Sequence, residues 1–324
     1  MAIVFIHSGY SPYLEFTLRQ ARAADPEADI ILLGDAENDR FPFLRHVDAA
    51  APAFQKRAER LAEVYRHRST NGRAFELVCF QRWFVLQAFL ETAGLPDALV
   101  LDSDVMLYAT EEEVRRVRLE GKTLGVCRPA AQQDFRWMAS PHVSYWTAGQ
   151  AAAFCDFLLR AYTEPAAAAP FEEKWRYHLA HGVYGGICDM TALYLFAEAQ
   201  EPTSVANFPA VVERTACDQN INGAENEWPD EYRMRGPVKE VTWDDEGRPW
   251  GYNRRLEAPV RFQALHLQGK AKEFVPAFYR GPSFGGMALL RSRLLAHYKA
   301  RRLASVVAQP VRLLAGKLKR GRSS

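Results

Sequence analysis

Ala98-Leu99-Val100-Leu101 runs straight into Asp102-Ser103-Asp104, and Val105-Met106-Leu107-Tyr108 turns apolar again at once. An apolar run this short, opened by the turn signal Gly94-Leu95-Pro96-Asp97, predicts a buried central strand. Burying one carboxylate is costly, and burying two almost adjacent ones is worse unless cations compensate both. A hard divalent cation with oxygen ligands does this, above all when it also holds substrate phosphates. Asp102 and Asp104 therefore read as a metal-phosphate clamp at the C-terminal end of a strand. The alternative is a strand followed by a polar turn with both acids solvated.

The rest of the chain supplies the setting. Ala2 to His7 and Asp29 to Leu33 are short apolar strands, and Leu14, Leu18 and Ala21 between them recur at helical spacing after Ser11-Pro12, an N-cap and first-turn proline. Strand, helix, strand over some thirty residues is a βαβ unit, which predicts an α/β fold with a parallel sheet. Ligands of such sheets bind beyond the carboxyl ends of the strands, so His7-Ser8-Gly9-Tyr10, Gly34-Asp35 and Asp102-Ser103-Asp104 share one rim. No G-x-G-x-x-G follows the first strand, which speaks against a dinucleotide site.

Residues 52–67 read as a charged amphipathic helix, and a denser helix follows the turn Thr70-Asn71-Gly72. On this second helix Glu76, Gln87 and Glu91 share a face, while Arg82 falls in the apolar sector with Val78, Leu86 and Phe89. An arginine there needs an anion. Two partners fit: an internal carboxylate, Asp102 or Asp104 included, or a substrate phosphate, which arginine suits. Further on, 111–118 predicts an exposed helix, 123–126 and 143–147 strands, 151–162 a helix and 164–170 a surface loop. Gly185-Gly186 lets the backbone approach a ligand closely, and Asp189 opens a helix, for which capping alone is a sufficient reason. Asp218, Asn220 and Asn222 lie in a polar loop. Val238 to Trp243 and Pro249 to Tyr252 form a hairpin around a solvated acidic turn, Asp244-Asp245-Glu246-Gly247. The strand ending at His266 brings that imidazole to the rim, with Gly269 and Lys272 in the turn beyond. A His with two Asp suits Mn²⁺ better than Mg²⁺, which prefers oxygen alone.

Composition bounds the class. Of the 324 residues 48% are hydrophobic and 25% charged, as in a globular protein. Five scattered cysteines without a C-x-x-C pair argue against a disulfide framework or a zinc site and fit a reducing cytoplasm. The N-terminus does not read as a signal peptide, and no apolar run has the length of a membrane span. Ten Lys or Arg and no acid lie between Arg291 and Ser324, so the rest of a chain with net charge +2 carries −8. Leucine and valine pairs alternate with these cations, and Pro310 divides the tail into two helical pieces. An amphipathic basic tail on an acidic body predicts an anionic membrane surface as partner, not nucleic acid. Packing on the body is the other reading of the tail.

Asp102-Ser103-Asp104, the Arg82 helix before it, Gly186-Ile187-Cys188-Asp189 and His266-x-x-Gly269-x-x-Lys272 occur together in one order. In this the chain resembles nucleotide-sugar glycosyltransferases of the GT-A (Rossmann-like) fold, most of all the retaining glycosyltransferase family eight, with its DxD and HxxGxxK motifs. The likeness spans residues 1–280 and leaves 281–324 as a basic helical tail. It implies a mixed, mostly parallel sheet flanked by helices. It implies a metal-dependent hexosyltransferase-like enzyme moving a sugar from a UDP-linked donor to a saccharide or lipid-linked acceptor hydroxyl, in cell-surface glycan synthesis on the cytoplasmic membrane face. Asp102, Asp104 and His266 would hold Mn²⁺ or Mg²⁺. Gly269, Lys272 and Arg82 would contact the donor diphosphate or sugar. Asp189 would stand near the anomeric carbon and, with Arg82, be catalytic. His7, Ser8, Asp35 and Ser103 would line the nucleotide site. The chain departs from the family in Thr147-Ala148-Gly149, where Asn-Ala-Gly is usual, and in Lys272-Glu273-Phe274, where Lys-Pro-Trp is usual. Two rivals share the Asp-x-Asp signal or the cleft. One is a haloacid-dehalogenase-type phosphatase using Asp244-Asp245 as its late acidic pair, though Met106 stands where that motif has Thr or Val. The other is a non-catalytic nucleotide-sugar-binding protein.

Overall fold

In the computed structural model, which describes residues 1–300, the first apolar run forms β1 (Ala2–Ile6) inside a seven-stranded sheet. Helix α1 (Leu14–Ala24) leads to β2 (Ile30–Gly34) and β3 (Arg45–Asp48). Helices α2 (Pro52–Val64) and α3 (Arg73–Ala93) return the chain to β4 (Asp97–Asp102) on the other side of β1. Strands β3, β2, β1 and β4 are all parallel, so Gly34, Ile6 and Asp102 end on the same edge. Side chains alternate across the sheet. Ala2, Val4, Ile31, Leu33, Ala98 and Val100 pack against the long helices, while Ile3, Phe5, Ile30, Leu32, Leu99 and Leu101 face α1 and a second sheet.

The second sheet begins where β4 stops. Ser103 and Asp104 turn the chain into β5 (Val105–Leu107), which leaves the first sheet. After α4 (Glu111–Val114) and a wide turn, β6 (Leu124–Cys127) and β7 (Ser140–Thr147) complete the first sheet with β8 (Val205–Asn207). β7 is antiparallel to both β4 and β6, so the sheet is mixed and mostly parallel. Helices α5 (Ala148–Thr163), α6 (Pro165–His181) and α7 (Asp189–Glu198) cover its helical face. β9 (Thr215–Cys217) precedes a two-residue ladder, β10 (Met234–Arg235) with β11 (Val238–Lys239). β12 (Val241–Trp243), β13 (Pro249–Asn253) and β14 (Ala258–His266) then pair in turn, and β14 lies antiparallel to β5. A short helix α8 (Val275–Phe278) follows, and residues 287–300 form a further helix.

Several expectations change on this framework. Residues 164–170 are not a loop but the start of α6. Pro165 sits at the helix start, where its missing N–H costs nothing, and the alanines are strong helix formers. Pro170 forgoes one backbone bond, outweighed by the burial of Phe171 and Lys174. Ser11 does not cap α1 with its side chain, since Tyr13 is the N-cap and Leu14 N donates to the Ser11 carbonyl. The 111–118 segment is not wholly exposed, because Arg118 is buried against Gln263, Thr215 and the Ala210 carbonyl. Part of the polar face of α3 points inward. Glu76 is buried on Ser69 and Asn71, and Gln87 on Arg57, while Phe75 and Val78 stand exposed. Asp244 is tied into its own hairpin by Arg248 and Trp250 Nε1. Of the tail, Leu294 and Tyr298 pack into the same core as Phe16 and Tyr279; residues from 301 on, Pro310 included, lie outside the described residues.

Leu265 is fully buried and sits opposite Met106 in the β14–β5 ladder that joins the two halves. Leu265→Ala is expected to lower stability by about 2–5 kcal/mol through the cavity it leaves. Urea unfolding followed by tryptophan fluorescence measures this.

Candidate active site

The strand ends open on a cleft of about 690 Å³. Every residue singled out from the sequence as a site candidate lines it: His7, Ser8, Asp35, Arg82, Asp102, Ser103, Asp104, Asp189, His266, Gly269 and Lys272. Strand register explains how distant residues meet. His266, the last residue of β14, pairs with Val105, and Leu267 N donates to the Asp104 carbonyl at 3.0 Å. His266 Nε2 thereby lies 3.6 Å from Asp104 Oδ1. One donor atom from each of Asp102, Asp104 and His266 lies within 4.8 Å of the others.

The imidazole is set for a cation. Its Nδ1 is 3.0 Å from the Gln219 carbonyl oxygen, which can only accept, so Nδ1 donates there and Nε2 is the nitrogen turned toward Asp104. That is how second-shell carbonyls usually fix metal-binding histidines. Burial alone would raise the Asp104 carboxyl; His266 and Lys272 outweigh it and hold it below the usual range. Lys272 Nζ donates to Asp104 Oδ2 at 2.5 Å and lies 5.5 Å from the centre of the Tyr13 ring. Gly269 allows the turn that carries Lys272, with a φ of +57°. Asp102 Oδ1 is thus taken by Arg82 and Asp104 Oδ2 by Lys272, while Asp104 Oδ1 faces His266. Two carboxylate oxygens and a bare imidazole nitrogen fit a divalent ion, and the nitrogen favours Mn²⁺ over Mg²⁺.

Arg82 is the hinge of the second half of the site. Its Nη1 donates to Asp102 Oδ1 at 2.8 Å and its Nη2 to Asp189 Oδ2 at 2.7 Å. Burial would lower its pKa, but Asp102 and Asp189 raise it above the ordinary arginine value. Its Nε is buried without a hydrogen-bond partner among the described residues. Asp189 is therefore more than a cap. It is the first residue of α7, Cys188 is the N-cap, and its Oδ2 also accepts from Trp83 Nε1 at 3.3 Å. Gly186 makes this possible. With φ +135° it lies so close to the backbone of Arg68 and Ser69 that an added Cβ would be 2.3 Å from the Arg68 oxygen. Ile187 N then donates to the Arg68 carbonyl at 2.7 Å, which docks the start of α7 on the chain entering α3.

At the other end of the cleft, Asp35 organises the β1–α1 turn. Its Oδ2 accepts from Ser8 Oγ at 2.7 Å and Gly9 N at 2.6 Å. These bonds and that from Glu37 N outweigh burial and lower its pKa. Burial lowers the His7 pKa against the pull of Asp104 and Asp35. Ser103 Oγ lies 3.1 Å from Tyr13 Oη. Sequence reasoning missed the exposed Phe75 and Val78, and Ser140, Pro141 and Met190, all of which line the cleft. Their signal was weak: an apolar residue on a helix reads as core until the packing is known.

The charges decide what the cleft can take. Asp35, Glu76, Asp102, Asp104 and Asp189 outnumber Arg82 and Lys272 in its lining, so the cleft is acidic and attracts cations.

No family model and no curated protein matches the chain. Among solved structures, mouse xyloside xylosyltransferase 1 in its apo form is similar at 12% identity, covering 67% of this chain and 87% of that one, with a TM-score of 0.44. The galactosyltransferase LgtC in complex with donor and acceptor sugar analogues is similar at 17% identity over 60% and 70%, TM-score 0.37. The bifunctional WbbM in its apo form is similar at 13% identity over 70% and 40%, TM-score 0.38. Likenesses of this extent carry neither a substrate nor a residue's role to this chain.

Arg82→Met strips two carboxylates of their shared cation, one of them, Asp189, only 4% exposed. A loss of about 3–5 kcal/mol is expected, as for other broken buried pairs. Asp189→Asn, which can still accept from Arg82, is expected to cost less. Paired thermal and urea unfolding of the two variants orders them.

Proposed function

We propose that this chain is a metal-dependent glycosyltransferase of the GT-A type, taking its sugar from a nucleotide-sugar, UDP-linked, and passing it to an acceptor hydroxyl. The observation that supports this most is the Asp102–Asp104–His266 cluster at the sheet edge, its Nε2 bare and Arg82 and Lys272 on either side. Residues 1–280 form the catalytic unit in this reading and 281–324 a basic tail.

Mn²⁺ or Mg²⁺ held by Asp102, Asp104 and His266 would supply Lewis-acid neutralisation of the leaving diphosphate. Lys272, now on Asp104, would add positive charge where negative charge develops on the diphosphate. Arg82 stays between Asp102 and Asp189, fixing the second relative to the first. Asp189 stabilises the positive charge that builds at the anomeric carbon. The nucleoside lies over His7, Ser8 and Asp35, with Ser103 and the Gly269 turn near the phosphates. Asp35, Glu76, Asp102, Asp104 and Asp189 line the cleft, and each is already engaged by a hydrogen bond. This favours the leaving phosphate oxygen as the base that takes the acceptor's proton, which is the retaining course.

The phosphatase reading loses its late acidic pair, because Asp244 is committed to Arg248 and Trp250 and is not among the cleft residues. Thermal-shift screening of nucleotide-sugars with and without Mn²⁺ tests the proposal. Stabilisation of about 2–3 kcal/mol near 100-fold saturation is expected only with both present. Asp104→Asn is expected to abolish it and to cut donor hydrolysis at least 100-fold. Turnover of a simple phosphate ester without nucleotide dependence would refute the reading, and binding without hydrolysis or transfer across donors and acceptors would leave a binding protein.

The tail is read as a membrane contact on the cytoplasmic side, which the five free cysteines support. Leu289 and Leu295, 56% and 51% exposed, stand beside Arg291, Arg293 and Lys299. Among the described residues no helix is long and apolar enough to cross a membrane. The protein is expected to sediment with anionic vesicles, and glutamine at the seven Lys and Arg positions after residue 300 to release it. Each cation near the surface is worth about 1 kcal/mol.

A further inference from the structure

Behind the cleft lies a set of buried polar groups that core filling does not require. The Asp218–Lys239 pair is fully buried, with Lys239 Nζ 2.5 Å from Asp218 Oδ1. Lys239 Nζ also donates to the carbonyls of Asn220 at 2.8 Å and Glu225 at 3.0 Å. Asp218 Oδ2 accepts from the backbone N of His266 at 3.1 Å. One residue on, the Gln219 carbonyl takes the Nδ1 proton of His266. The Asp218 carbonyl accepts from His142 Nε2 at 2.9 Å, so His142 Nδ1 is the acceptor for Ser140 Oγ at 2.8 Å. With both nitrogens committed, the His142 ring lies flat on that of His266, centroids 3.9 Å apart and planes 11° apart. His142 is completely buried.

A buried ion pair is a poor way to gain stability, since desolvation offsets most of the attraction. What this one does is hold a loop, and the loop's two carbonyls then orient two imidazoles. We propose that His142, Asp218 and Lys239 are positioning residues for His266: the ion pair fixes the 218–220 loop, the loop and the stacked ring fix the imidazole, and its Nε2 is aimed into the cluster before the cation arrives. None of the three lines the cleft among the described residues. This inference rests on the cluster binding a divalent ion, as proposed above.

Mn²⁺ binding to the full chain with UDP present, followed by electron paramagnetic resonance, tests it. His142→Ala is expected to weaken binding about 10–100-fold, the usual cost of losing a group that orients a metal-binding histidine. His142→Phe, which returns a flat ring without the hydrogen bonds, is expected to recover part of the loss. Asp218→Asn with Lys239→Met leaves no uncompensated charge and should move affinity the same way. Equal affinity in His142→Ala and the parent overturns the proposal. A parent that binds no Mn²⁺ overturns the reading of the cluster and this inference with it. Nitrogen-15 spectra of the metal-free parent, needing no variant to fold, must show the neutral His266 ring protonated at Nδ1; a neutral ring protonated at Nε2 instead overturns the proposal.

Discussion

Three carboxylates at one end of a sheet must be neutralised, and most of the molecule's site architecture follows from how that is done. Arg82 and Lys272 are the resident cations, and each is bound to an aspartate rather than waiting in solvent. Asp102, Asp104 and His266 each offer one further donor atom to a cluster that could hold a third positive centre. Lys272 is held by one carboxylate, Asp104, whereas Arg82 bridges two, Asp102 and Asp189.

The site is also a junction. Asp102 closes one sheet, and Asp104 stands where the next begins, with only Ser103 between them. The helices that cover one face supply Arg82 and Asp189, and the second sheet supplies His266 and, through the turn after it, Lys272. Each layer of the fold contributes one side of the cleft, which ties the alignment of the layers to the alignment of the chemistry.

Much of this could be read from the residues. The βαβ opening, the buried strand before Asp102 and the strand before His266 are strong local patterns, and all three formed where the apolar runs lie. The cleft gathered the candidates because parallel strands put their carboxyl ends on one edge. What escaped was decided by tertiary context. Asp189 reads as a helix cap from sequence, and only the docking of Gly186 on Arg68 turns it toward Arg82. The 164–170 segment reads as a loop because two prolines outweigh alanine locally, until burial of Phe171 and Lys174 is added. Glu76 and Gln87 read as a solvent face, yet Ser69, Asn71 and Arg57 satisfy them inside. His142 carries no motif at all; its part emerges from two carbonyls and a ring contact.

The β14–β5 pairing has a consequence for how such a chain tolerates change in length. His266 is delivered to Asp104 by ladder register, not by the path between them. The hairpin tip at residues 244–247 lies beyond β12 and β13, two strands removed from β5, so lengthening it displaces none of the three ligating side chains. One residue added between Ala264 and His266, by contrast, flips the imidazole to the opposite face of its strand. The 244–247 tip is thus free to vary in length, while the three-residue corner and the end of β14 are held to a tolerance of a single residue.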